Sequence, residues 1–161
     1  MLLRLAALVL IVTTLPASAA FEERHAHWTV LDSHPLVPGC SAINRPPDEF
    51  AAQPYAALSM RQDRNMGPRL FVFAWPGAFK YGDRVTIELG IGPGPKLAAE
   101  ALDSHVVVTR EDLPQELIAE MHAARFVSFD IAGLPQALMF DTSQLDAVMK
   151  SLAACVRRQS G

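Results

Sequence analysis

Two cysteines, Cys40 and Cys155, lie more than a hundred residues apart, and they limit the possible folds more than any other feature of the chain. A redox pair or a set of metal thiolates wants close spacing such as C-x-x-C, which the sequence lacks. In an oxidising compartment an isolated pair forms a structural bridge. Closing so long a loop stabilises by up to about 4–5 kcal/mol in the chain-entropy model. The expected Cys40–Cys155 disulfide requires a fold that carries the chain's end back to its beginning.

The compartment is read from residues 1–20. Met1 and Arg4 give a positive start, Leu5 to Val12 is an unbroken apolar run, and Thr13, Thr14 and Pro16 end it. Ala17-Ser18-Ala19 then supplies small residues at the recognition positions of a cleavable secretory signal peptide. The run is too short to span a bilayer, which takes about 20 apolar residues. No cysteine follows it closely, so a lipid-anchored lipoprotein is not expected. Residues 21–161 are expected to form one periplasmic domain, of a size that buries a real core.

The formal charge is −3, and loss of Arg4 with the leader lowers it by one, to −4. The charges are scattered along the chain without a basic run. Nucleic-acid binding, which needs clustered Lys and Arg to displace counterions, is therefore not expected. No other apolar segment approaches transmembrane length.

Strand and turn signals dominate the rest. Strands are expected at residues 24–31, 40–43, 55–62, 69–75, 84–89, 105–109, 126–131 and 138–140. In residues 70–75, Leu-Phe-Val-Phe-Ala-Trp, both faces are apolar, which predicts a central strand covered on each side. Pro46, Pro47 and Pro54 make residues 44–54 a loop, and three glycines and two prolines do the same for residues 90–95. Asp112 is placed to cap a helix with Leu113, Leu117, Ile118 and Met121 on one face. A closing helix starts near Asp141 and Gln144, which have capping-box spacing, and Leu145, Val148, Met149 and Leu152 form its apolar stripe. Cys155 continues that stripe, so the disulfide would tie this helix to the first strands. The expected class is α+β: mainly antiparallel β-sheet or sandwich, with one internal helix and a C-terminal helix.

No stretch names a reaction. His25 and His27, two apart on the expected first strand, would share a face, with His34 nearby, and such a set could bind zinc or copper. Leu-Asp-Ser-His occurs at residues 31–34 and again at 102–105, but the groups of a hydrolase triad converge from distant positions. Turn chemistry accounts for both copies. Residues 90–96, Gly-Ile-Gly-Pro-Gly-Pro-Lys, lack the P-loop spacing, and their prolines remove backbone donors. Met60 fits a strand interior and Met66 a turn. Trp28, Phe71, Phe73 and Trp75 are expected in the core.

Near both ends the layout is familiar. His27-Trp28-Thr29-Val30 follows the leader, and Phe129-Asp130-Ile131-Ala132-Gly133-Leu134 precedes a helix that closes on Leu152-Ala153-Ala154-Cys155. This arrangement resembles small exported proteobacterial proteins of unknown function, loosely including the invasion-associated locus B type. The locus B pattern has an internal cysteine pair that this chain lacks. The resemblance implies a periplasmic β-rich fold with an envelope-associated or host-interaction role, and it implies no catalytic residues.

The expected function is non-enzymatic binding of a protein or cell-envelope component. The alternative is a small-ligand or zinc/copper binding protein using the His25, His27 and His34 region, and a hydrolase comes third. No cofactor is expected. Binding residues are sought in the loops at residues 44–54 and 90–96.

Overall fold

The computed structural model describes residues 21–32, 39–44 and 56–159. The expected leader, His34 and residues 45–54 of the first candidate loop lie outside them. Ten strands form one sheet: β1 (Glu22–His25), β2 (Trp28–Asp32), β3 (Cys40–Asn44), β4 (Ala57–Gln62), β5 (Arg69–Phe73), β6 (Arg84–Leu89), β7 (Lys96–Ala101), β8 (Val106–Thr109), β9 (Phe126–Ile131) and β10 (Leu138–Asp141). Helix α1 (Gln115–Ala124) lies between β8 and β9, and helix α2 (Leu145–Arg158) follows β10. Every described strand pair is antiparallel. The α+β class with an internal and a C-terminal helix is the fold observed, in its single-sheet form.

The strand order is β1-β2-β3-β4-β5-β8-β7-β6-β9-β10. The first five strands meander. The chain then passes over two vacant places, lays down β6, and returns through β7 and β8 to pair with β5. Strand β7 has no counterpart in the sequence reading, because its residues, Lys-Leu-Ala-Ala-Glu-Ala, are poor strand formers. Pairing on both edges, with β6 and with β8, overrides that preference.

The opening strand is also different from the one expected. A two-residue turn at Ala26 and His27 breaks it into the β1–β2 hairpin, with His25 opposite Trp28. Ala26 adopts φ 46°, the positive value that such turns require and that Gly or Asn usually supplies. Ala-His therefore hid the hairpin.

One face of the sheet holds the core. Leu58, Met60, Leu70, Val72, Ile87 and Phe129 are fully buried on it. Helix α2 packs Leu145, Val148, Leu152 and Cys155 against β2, β3 and β4, while α1 contacts α2 and β9 through Leu117, Ile118 and Met121. Phe129 and Phe140 meet edge to face at 5.4 Å, the favoured geometry for an aromatic pair. Cys40 and Cys155 are joined and buried, so α2 is bonded to β3. Gln159 reinforces the tie, its Oε1 accepting from the Gly39 N–H at 3.0 Å and its Nε2 donating to the Gly39 carbonyl at 2.8 Å.

The two helix starts differ from expectation. Asp112 does not cap α1: Pro114 holds the N-cap position without a side-chain bond. Its carboxylate instead accepts from the Gly67 N–H at 2.8 Å and the Arg69 Nε at 3.0 Å. At α2 the cap position is Gln144, again without a side-chain bond, and Asp141 Oδ1 accepts from the nearer Ser143 N–H. In both cases a closer or charged donor captures the carboxylate.

Candidate functional site

The register of the sheet assembles a face that no stretch of sequence displays. Residues opposite one another on antiparallel strands project to the same side. Ile43, Ser59, Phe71, Val108 and Glu100 follow one another across β3, β4, β5, β8 and β7 in a single row. Ala57, Phe73 and Val106 form the next row. These residues alternate with the core residues of the same strands and so stand on the side facing away from the core. Phe71, Phe73 and Val108 are half-buried, and none belongs to the core cluster or packs against it.

This corrects the expectation that Phe71 and Phe73 fill the core; both are half-buried on the other side of the sheet, where Ser59 and Val106 of the same rows are buried. The strand is central, but only Leu70 and Val72 point inward. No described helix packs extensively on β5 or β8. Of the other aromatics, Trp28 is 1% exposed in the core and Trp75 packs half-buried against it.

The apolar face runs on into the turns at one end. Leu102 donates its N–H to the Val106 carbonyl, and Gly82, the residue after Tyr81, donates to the Ala101 carbonyl. Tyr81 is 83% exposed and Leu102 43%, the two large exposed hydrophobic side chains among the described residues. The turn that presents Tyr81 is braced: Asp83 Oδ2 accepts from the Lys80 N–H at 3.0 Å, and the buried Phe79 anchors it.

At the opposite border stand Arg61 and Arg69, direct partners across the β4–β5 ladder. Asp112 neutralises part of this charge through its bond to Arg69 Nε, and the Arg69 guanidinium, with the Gly67 N–H, holds the Asp112 carboxyl below its usual range.

The histidines do not form the expected strand-face pair, because the hairpin separates them. His25 Nε2 lies 2.8 Å from Ser151 Oγ of α2 and 3.3 Å from Glu23 Oε1. His27 turns toward Asp141, with Nε2 3.8 Å from Oδ2. Among the described residues no three His, Cys, Asp or Glu side chains are grouped to hold a metal ion. Ser151, His25 and Glu23 do bring together the three groups of a hydrolase triad. Both neighbours, however, contact the same imidazole nitrogen, so the acid cannot orient the base from the far side of the ring. The contacts act as a clamp between β1 and α2. Of the two Leu-Asp-Ser-His copies, the second is a turn in which Asp103 Oδ1 accepts from the N–H groups of His105 and Val106.

The second candidate loop, residues 90–95, joins β6 to β7 and borders a cleft of about 330 Å³ shared with Glu88, Ser128 and Asp130. Glu88 and Asp130 are cross-strand partners, and Lys96 Nζ lies 3.2 Å from Glu88 Oε2, offsetting one of the two charges. Met60 is buried in β4, and Met66 lies in the bend before β5.

No helix among the described residues is long and apolar enough to cross a membrane. Family models, curated proteins and solved structures were each compared with the chain, and none matches it.

Proposed function

We propose that this protein is a non-enzymatic binding protein of the periplasm, which docks a protein or cell-envelope component on the outer face of β3, β4, β5 and β8. The observation that carries this reading is the position of Phe71 and Phe73. The central strand of the sheet turns two phenylalanines away from the core, and the row of Phe73 and Val106 leads on to the exposed Leu102. Aromatic side chains on a rigid scaffold offer large contact area at low entropic cost, as binding surfaces require. The Cys40–Cys155 bridge and the signal-like residues 1–20 support export. The resemblance to exported proteins of the locus B type points the same way.

Photo-crosslinking tests the reading. A photoreactive phenylalanine analogue in place of Phe71 or Tyr81, in the cells that make the protein, is expected to yield one discrete adduct. The same analogue in place of the exposed Glu120 on α1 is expected to yield none. Identical patterns at all three positions, or no adduct at any, would overturn it.

A further inference from the structure

We propose that the occupant of this face is an acidic polypeptide segment, whose carboxylates meet an arginine border while its apolar side chains cover Phe71 and Val108. The inference rests on the reading of the outer face as a docking surface and adds the chemistry of the partner. The cross-strand row Leu31, Ser41, Arg61, Arg69 runs parallel to the row Thr29, Ile43, Ser59, Phe71, two residues further along each strand. Arg61 and Arg69 are direct opposites, an arrangement that like charges disfavour. Arg110 follows Val108 by two residues, at the same border, and is exposed. Asp112 accepts a hydrogen bond from Arg69 Nε, and among the described residues the Arg110 guanidinium has no ion pair. In a chain of net charge −3 this border sets three arginines against Glu111 and Asp112, a local excess of one positive charge, and Glu100 beside Val108 has Arg84 as its cross-strand partner. Guanidinium groups read planar carboxylates in two-point contact.

The same border suits nucleic acid less well. Salt-sensitive duplex binding typically draws on about 6–10 phosphate contacts, and here Glu111 and Asp112 stand beside three arginines. It also suits a lipid surface less well, since the most exposed apolar residues, Tyr81 and Leu102, stand among charges of both signs, Lys80, Asp83, Arg84 and Asp103, rather than at the arginine border.

The test uses the full mature chain and fluorescence anisotropy with four probes: a short labelled peptide rich in glutamate and leucine, its lysine–leucine counterpart, oligothymidylate, and phosphatidylglycerol vesicles. The acidic peptide is expected to bind roughly tenfold more tightly than the lysine peptide at low salt. That preference should fall in Arg110→Glu, which leaves the Arg69–Asp112 contact intact, and vanish in Arg69→Gln/Arg110→Glu. Equal binding of both peptides that is lost in Phe71→Thr would overturn the acidic partner while leaving the docking face standing. No peptide binding, or binding unchanged by Phe71→Thr in a chain that still melts cooperatively, would overturn both. Binding of oligothymidylate or vesicles in preference to either peptide would overturn the choice of a polypeptide.

Discussion

Phe71 lies directly opposite Val108 across the β5–β8 ladder, on the side of the sheet that the core does not occupy. Its chain neighbour Leu70 is fully buried on the other side. One residue step therefore separates a position inside the core from one on the opposite side of the sheet. Leu70→Ala should cost about 2–5 kcal/mol, as core truncations do. Phe71→Thr keeps a strand-forming residue on a half-buried surface and should cost less than about 1.5 kcal/mol. Urea unfolding of the two variants checks the contrast, and equal losses would place Phe71 in the core.

The bridge between Cys40 and Cys155 fastens α2 to β3, and the Gln159–Gly39 pair seconds it. Cys155→Ser should lower stability by about 2–5 kcal/mol. Non-reducing mass spectrometry of the chain purified without reductant should find it lighter by two protons than the fully reduced form. Two free thiols there would contradict the account.

Trp28 Nε1 and Asn44 Nδ2 both donate to the Asp141 carbonyl, at 3.2 and 2.5 Å, and so join the second and third strands to the last. Asn44 Oδ1 is buried without a hydrogen-bond partner among the described residues. Asn44→Ala removes one donor together with that orphaned acceptor, and Trp28 still serves the carbonyl, so the cost should be about 1 kcal/mol. Asn44→Asp would bury a carboxyl against a carbonyl and should cost more than about 3 kcal/mol near neutral pH. Thermal unfolding of both variants reads the ordering, and a milder aspartate would contradict it.

Gly90 closes on Ser128: a Cβ at Gly90 would collide with the Ser128 Oγ. Gly90→Ala should destabilise by roughly 1–3 kcal/mol, and Ser128→Ala in the same chain should restore part of the loss. A double mutant no better than the single one would show that the clash is not the cause.

The lowered Asp112 pKa fixes the sign of one pH effect. A carboxylate with a depressed folded-state pKa adds stability that is present above its ordinary value of 3.8 and lost as pH falls through the folded value. The group is exposed, so the increment is small. Wild type should melt slightly above Asp112→Asn near neutral pH, with the gap closing in acid below the ordinary carboxylate range. A gap that widens in acid would contradict the assignment.

Much of the fold was legible because its signals are local. Residues 84–89 alternate cleanly and form β6, residues 126–131 are β9 to the residue, and the helical spacing of Leu145, Val148 and Leu152 placed Cys155 on the buried face. The β1–β2 hairpin was hidden because Ala26 takes a conformation that its residue type does not announce. Strand β7 was hidden because its pairing, rather than its composition, makes it a strand. The candidate site was the least legible part. In Leu-Phe-Val-Phe-Ala-Trp, nothing says which alternate residues face a core and which face outward. Arg61 and Arg69 form no run in sequence and become neighbours only through the register, and Arg110 directly follows β8, the strand paired with β5.

The central claim is that Phe71 and Val108 serve a partner rather than the fold. Its most direct test is co-isolation from envelope extracts with the Phe71→Thr/Val108→Thr double variant beside wild type, each checked by its melting curve. The account predicts a cooperative melt within a few degrees of wild type and loss of the bound component that wild type retains. A double variant that still retains that component in wild-type amount would contradict it.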